Sequence, residues 1–120
     1  MRVGITTTMT APRSLRFIVP MLPPAVSHKA WQRTVLATAR QFGWKPYWTW
    51  YSVHSPAGFP DLVLVRLDRL VFAELKSETG KITPAQQEWL DILEPLVQEG
   101  KIEVYVWRPS QFEEVATILR

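Results

Sequence analysis

The sequence predicts an α/β domain, a central mixed sheet flanked by helices in the order α-β-β-β-α-β-α. Three observations predict it. Two apolar runs of strand length, at 61–66 and 70–76, flank a short polar turn and read as a hairpin. Two stretches of helical spacing, Ser27–Phe42 and Thr83–Gln98, bracket that region and carry N-cap residues at their starts. A third run, Ile102–Trp107, alternates like a strand and follows the second helix. The 120 residues suit one core. Residues 1–26 are expected to be an arm, and residues 27–120 the domain.

In chain order, Ser27 is the predicted N-cap of a helix that ends at Phe42, with Gly43 at C′. Trp31, Val35, Ala39 and Phe42 recur at three- or four-residue spacing and make its apolar face. Lys29, Arg33 and Arg40 lie elsewhere on it, as a solvated face in preference to a nucleic-acid track. Pro46 argues against a strand start, so the aromatic run that follows is placed as a strand at Tyr47–Ser52. Such aromatics serve as core or interface more often than as platforms for unpaired bases. His54-Ser55-Pro56-Ala57-Gly58 is a loop, and Gly58 permits close backbone approach. After the hairpin and a polar turn, Thr83-Pro84-Ala85-Gln86 combines an N-cap, a proline at N1 and a capping box. The expected inward residues of that helix are Trp89, Ile92, Leu93 and Leu96, with Pro95 bending or fraying it. Ser110-Gln111-Phe112-Glu113 reads as a second capping box opening a helix to Leu119, with Phe112, Val115, Ala116 and Leu119 inward.

The hairpin carries the chemistry. Asp61 opens its first strand, and Glu74 and Lys76 end its second. Side chains alternate along a strand, so Glu74 and Lys76 share a face. The antiparallel return brings Asp61 close to Glu74. Two carboxylates and an ammonium thereby converge at one sheet edge. Hard cations such as Mg²⁺ take oxygen ligands, often one or two carboxylates with water and substrate phosphate. Asp61, Glu74 and the Leu75 carbonyl supply such oxygens, while Lys76 can orient a water or neutralise a phosphoryl oxygen. A salt-bridge cluster at a sheet edge is the plainer alternative for the three side chains alone.

The wider succession is more specific: Gly58-Phe59-Pro60-Asp61, then Glu74-Leu75-Lys76-Ser77, then Thr83-Pro84-Ala85-Gln86. It resembles the PD-(D/E)XK nuclease superfamily, and within it the stand-alone VRR-NUC (virus-type replication-repair nuclease) family, over about Ser27 to Leu119. The resemblance implies Mg²⁺- or Mn²⁺-dependent cleavage of DNA phosphodiester bonds, by dimers acting on branched DNA such as Holliday junctions. It makes Asp61, Glu74 and Leu75 the counterparts of the metal ligands. Lys76 corresponds to the catalytic lysine, and Gln86 to the glutamine on the following helix, although Gln86 also has its capping role. Ser55, Gly58, Ser77 and Lys81 flank the site and are expected to meet nucleic acid. The chain departs from the family pattern in two places. The family usually has an acid near the start of the first helix, where Ser27–Gln32 has none, which leaves His28, Gln32 or a further water for that place. A histidine usual before the glycine loop has Trp48 in its region.

Composition bounds the rest. Three of the fourteen basic residues, Arg2, Arg13 and Arg16, precede residue 27, whereas all eleven acids follow it. The net charge of +3 therefore belongs to the first 26 residues. Arg13 and Arg16 are candidates for holding phosphates by counterion release; an unstructured leader, or a true start at Met9 or Met21, is the other reading. The absence of cysteine excludes a disulfide frame and a thiolate zinc site. No apolar stretch reaches spanning length, so the expected protein is soluble and intracellular, in cytoplasm or nucleoid, or virus-encoded and acting in a host cell. A chain this small is expected to recognise DNA by shape and backbone. The alternative function is that of a catalytically silent DNA-binding or structural relative.

Overall fold

The computed structural model describes the backbone of residues 3–5, and residues 26–49 and 53–120. Five strands, β1 (Val3–Ile5), β2 (Lys45–Trp48), β3 (Leu62–Arg66), β4 (Arg69–Leu75) and β5 (Glu103–Trp107), form one sheet in the order β1-β5-β4-β3-β2. The helices are α1 (His28–Gln41), α2 (Pro84–Gln98) and α3 (Phe112–Leu119). Strands β2, β3 and β4 run antiparallel, while β5 is parallel to β4 and β1 is parallel to β5, so the sheet is mixed.

Strand alternation sends alternate side chains to two separate cores. On one face, Leu62, Leu64, Val71, Ala73, Leu75 and Trp107 pack against α1 and α3, which contribute Trp31, Val35, Leu36, Ala39, Val115 and Leu119. On the other, Val104 and Val106, with Leu70 and Phe72, pack against Leu90, Leu93 and Val97 of α2. Two buried indoles pin the first layer: Trp31 Nε1 donates to the Trp107 carbonyl at 3.1 Å, and Trp44 Nε1 to the Leu119 carbonyl at 2.8 Å. Arg69 reinforces the sheet through two 2.8 Å hydrogen bonds to Glu103.

The caps of the two long helices are as the sequence predicts. Ser27 accepts from the Ala30 amide, and Thr83 and Gln86 close a reciprocal capping box. Other expectations are corrected. Strand β2 begins at Lys45 and holds Pro46, because it is an edge strand and a missing N–H is tolerated there; residues 50–52 of the predicted strand lie outside the described residues. Helix α2 buries Leu90, Leu93 and Val97, whereas Ile92 and Leu96 are exposed, so its inward stripe is rotated from the expected one. Pro95 lies inside α2, which runs to Gln98 as expected. Phe112 is exposed rather than inward, and no Ser110 capping box forms. Instead a 3₁₀ turn, Pro109–Gln111, precedes α3, and the Ser110 amide donates to Glu78. One strand lies outside the predicted order: Val3–Ile5, paired with Val104–Val106.

Candidate metal centre and cleft

The β3–β4 register builds the site. Leu62 pairs with Ala73, so the next pair outward sets Asp61 opposite Glu74. Asp61 Oδ2 accepts from the Leu75 amide at 2.8 Å, which ties the start of β3 to the end of β4. The same oxygen lies 3.4 Å from His28 Nε2, at the first residue of α1. The Lys76 ammonium lies 3.7 Å from Glu74 Oε2, on the face that alternation predicts.

Glu74 sits on the α2 face of the sheet and is 3% exposed. Gln86 answers it from the first turn of α2: its Nε2 donates to Glu74 Oε2 at 2.6 Å, while its Oε1 accepts from the Thr83 amide at 2.9 Å. The capping role and the site role of Gln86 therefore coexist in one side chain. The other Glu74 oxygen, Oε1, is buried and has no hydrogen-bond partner among the described residues. Burial pushes the Glu74 carboxyl up to about 8, and the neighbouring Asp61 charge adds to the rise. An anionic Glu74 in this setting lacks a counter-charge in contact with Oε1.

The glycine loop is held against α2. Gly58 has φ +90°, and a Cβ there would run into the Ala85 carbonyl group and the Gln86 amide. Phe59 packs edge-on against Trp89, with ring centroids 4.9 Å apart, and Trp89 Nε1 donates to the Ala57 carbonyl at 3.2 Å. Gly58 thus gives the loop its close approach to the turn that aims Gln86 at Glu74. The loop walls an open cleft of about 510 Å³, also lined by His28, Gln32, Ser55, Asp61 and Gln86.

The remaining predicted residues divide. Ser55 lines the cleft. The Ser77 hydroxyl is taken up in its own turn, accepting from the Gly80 amide at 3.0 Å. Lys81 is exposed beyond that turn, and Arg13 and Arg16 lie outside the described residues. Trp48 does not line the cleft around Asp61; it packs beside the first core, with the Arg40 guanidinium 5.3 Å from its ring centroid. Two further residues take part, and the first is a stand-in that the sequence offered for the missing acid. His28 lies beside Asp61 at the helix start that lacks the family's acid. Arg108 Nη1 donates to the carbonyls of Ser77, Glu78 and Gly80, fixing the turn after Lys76. From the sequence Arg108 reads as a strand-end residue that either reaches substrate or pairs at the surface, and its three-carbonyl role in the turn is what the sequence did not signal.

A cation fits this donor set. A buried carboxylate oxygen without a partner, facing a second carboxylate across a strand pair, is what a hard ion requires. Among the described residues no cluster of three or more His, Cys, Asp or Glu side chains forms a metal site, so the remaining ligands would be the Leu75 carbonyl, water and phosphate.

A mixed sheet between helical layers, with two acids and a lysine at the end of its central hairpin, is the arrangement expected of a nuclease domain. The model of the VRR-NUC domain family matches residues 30–108, from the first turn of α1 to just past β5. The chain belongs to that family, whose nuclease domain implies a DNA substrate and divalent-metal use. No curated protein and no solved structure gives a match. Among the described residues, no helix is long and apolar enough to cross a membrane.

Proposed function

We propose that the chain is an Mg²⁺- or Mn²⁺-dependent endonuclease that hydrolyses DNA phosphodiester bonds, with Asp61, Glu74 and the Leu75 carbonyl as metal ligands. One observation carries this reading: the partnerless, buried Glu74 Oε1 beside a raised carboxyl pKa, in a family of nucleases. Lys76 faces only Oε2, and a buried carboxylate oxygen with no partner is costly unless a cation joins it in the working state. Branched DNA as substrate and a homodimer as the acting form follow from the resemblance to stand-alone members, since two copies about a two-fold axis suit a four-way junction.

When bound, the cation supplies charge stabilisation at the phosphoryl oxygens and a water of lowered pKa. The chain's own groups do the rest. Asp61 and Glu74 fix the direction of approach, because both are anchored to backbone or to Gln86. Lys76 holds its donors next to Glu74, placed to hydrogen-bond the attacking water or a non-bridging phosphate oxygen. Gln86 orients Glu74 by spending one N–H on Oε2. The glycine loop limits how the sugar-phosphate chain enters. Hydrolysis forms one P–O bond to water and breaks one P–O bond to deoxyribose, the water proton leaving to solvent or to the departing oxygen.

The test is incubation of the purified chain with labelled four-way-junction DNA in Mg²⁺ or Mn²⁺, beside Asp61→Ala and Lys76→Ala. Cleavage by the natural protein, reduced about 100-fold or more in both variants, supports the reading. Junction binding without cleavage identifies a silent DNA-binding relative.

A further inference from the structure

Among the described residues, five basic side chains are spent on the fold. Arg66, Arg69, Arg108, Lys76 and Lys101 bind carbonyls or carboxylates of the fold. Lys29, Arg33 and Arg40 of α1 do not: among the described residues, none forms a hydrogen bond or ion pair. All three are exposed. At 100° per residue, positions 29, 33 and 40 fall within about 40° of one another around the helix axis, so they form a single stripe. The stripe extends about 16 Å at 1.5 Å per residue. Helix α1 contains no acidic residue to offset it.

The stripe lines an open groove of about 610 Å³ between α1 and the edge strand β2, together with Gln32, Leu36, Trp48 and Thr49. Gln32 and Thr49 also line the cleft at Asp61, so groove and cleft adjoin. His28, which neighbours Asp61, starts the same helix. At the far end the Arg40 guanidinium rests against the Trp48 ring, a contact that restricts the side chain while leaving its N–H donors without a partner among the described residues. Three exposed cations on one stripe, without partners among the described residues and next to the proposed phosphate-cutting centre, match a polyanion rather than a protein helix or a lipid.

We infer that the α1–β2 groove is a strand-binding track, in which Lys29, Arg33 and Arg40 hold successive phosphates of the DNA strand that leads away from the scissile bond. The inference rests on the nuclease reading and adds a substrate subsite to it. Its footprint reaches from the cleft toward the C-terminal end of α1, and contacts of this kind read backbone rather than base sequence.

The test measures binding of a fluorescein-labelled four-way junction by anisotropy, without divalent metal, across a series of NaCl concentrations. The proteins are the natural chain, Lys29→Ala, Arg33→Ala, Arg40→Gln, the triple variant, and Lys101→Ala as a basic residue paired elsewhere with Glu99. Each lost phosphate contact lowers the slope of log K against log salt by about 0.7 to 0.9, so the triple variant should lose about 2 to 3. Its Kd at 0.1 M salt should rise at least about tenfold, while Lys101→Ala leaves the slope in place. Thermal melts confirm folding, and because Arg40→Gln also removes the Trp48 contact, the Lys29 and Arg33 variants decide the outcome independently. Unchanged Kd and slope in the folded triple variant overturn the track, even where the natural protein cuts the junction. A track that binds as described in a protein that never cuts separates the failure of the nuclease reading from that of this one.

Discussion

Replacing Glu74 by glutamine should stabilise the metal-free protein above neutral pH, although it removes a proposed ligand. Glutamine has the shape of the protonated acid and keeps the oxygen that accepts from Gln86. In the natural protein, burial raises the Glu74 carboxyl from 4.5 to about 8. A folded pKa above the unfolded one means that the native state binds the proton more tightly. The associated stability is therefore complete below pH 4.5, and is lost as pH rises through 8. At 1.36 kcal/mol per pH unit, the full loss is about 5 kcal/mol, an upper figure that local rearrangement reduces. Melting in EDTA from pH 5 to pH 9 is the assay. Natural protein and Glu74→Gln should melt together near pH 5. By pH 9 the variant should melt higher by up to about 15–20 °C, given about 3–4 °C per kcal/mol for a chain of this size. Adding Mn²⁺ should reverse the order, because only the natural protein has the anionic ligand, and a ligand of the native state raises its melting point. Protons and metal compete for Glu74, so apparent metal affinity should rise up to about tenfold per pH unit below 8. Parallel melting curves for the two proteins across the whole pH range would refute the claim that Glu74 is a desolvated acid.

Other perturbations probe the frame of the site. Gly58→Ala combines a φ of +90° with a collision against the first turn of α2, and should destabilise by about 2 kcal/mol or more, measured by urea denaturation, with cleavage falling as Gln86 is displaced. Arg108→Gln removes donors from three carbonyls, and should free the 77–80 turn, seen as faster exchange of the Gly80 amide and a loss of about 1–3 kcal/mol. Leu67 is 93% exposed and holds φ 53° in the tight turn between β3 and β4. Leu67→Gly should therefore raise stability by about 1 kcal/mol, read as a higher denaturation midpoint.

Much of this arrangement was legible in the residues because its causes are local. The hairpin follows from two apolar runs around a short turn, and once it is accepted, antiparallel pairing alone puts Asp61 opposite Glu74. Serine and threonine caps announce α1 and α2 through hydrogen bonds spanning three residues. What escaped depends on distant partners. The three residues of β1 carry no periodic signal, and their pairing with β5 spans about a hundred positions. Pro46 disfavours a strand until it is known that β2 is an edge. Trp89 looks like an inward α2 residue, yet its ring packs on Phe59 and its N–H serves the glycine loop. Arg108 reads as a strand-end residue for substrate or for surface pairing until the fold brings three carbonyls around it. The α1 stripe looks like an ordinary solvated face, and only the groove beside the cleft changes its meaning.

The most direct measurement is an anomalous difference map from crystals soaked in Mn²⁺. The account predicts a peak within about 2.3 Å of an Asp61 carboxylate oxygen, Glu74 Oε1 and the Leu75 carbonyl. A well-occupied peak elsewhere, with Glu74 Oε1 still buried and alone, would contradict it.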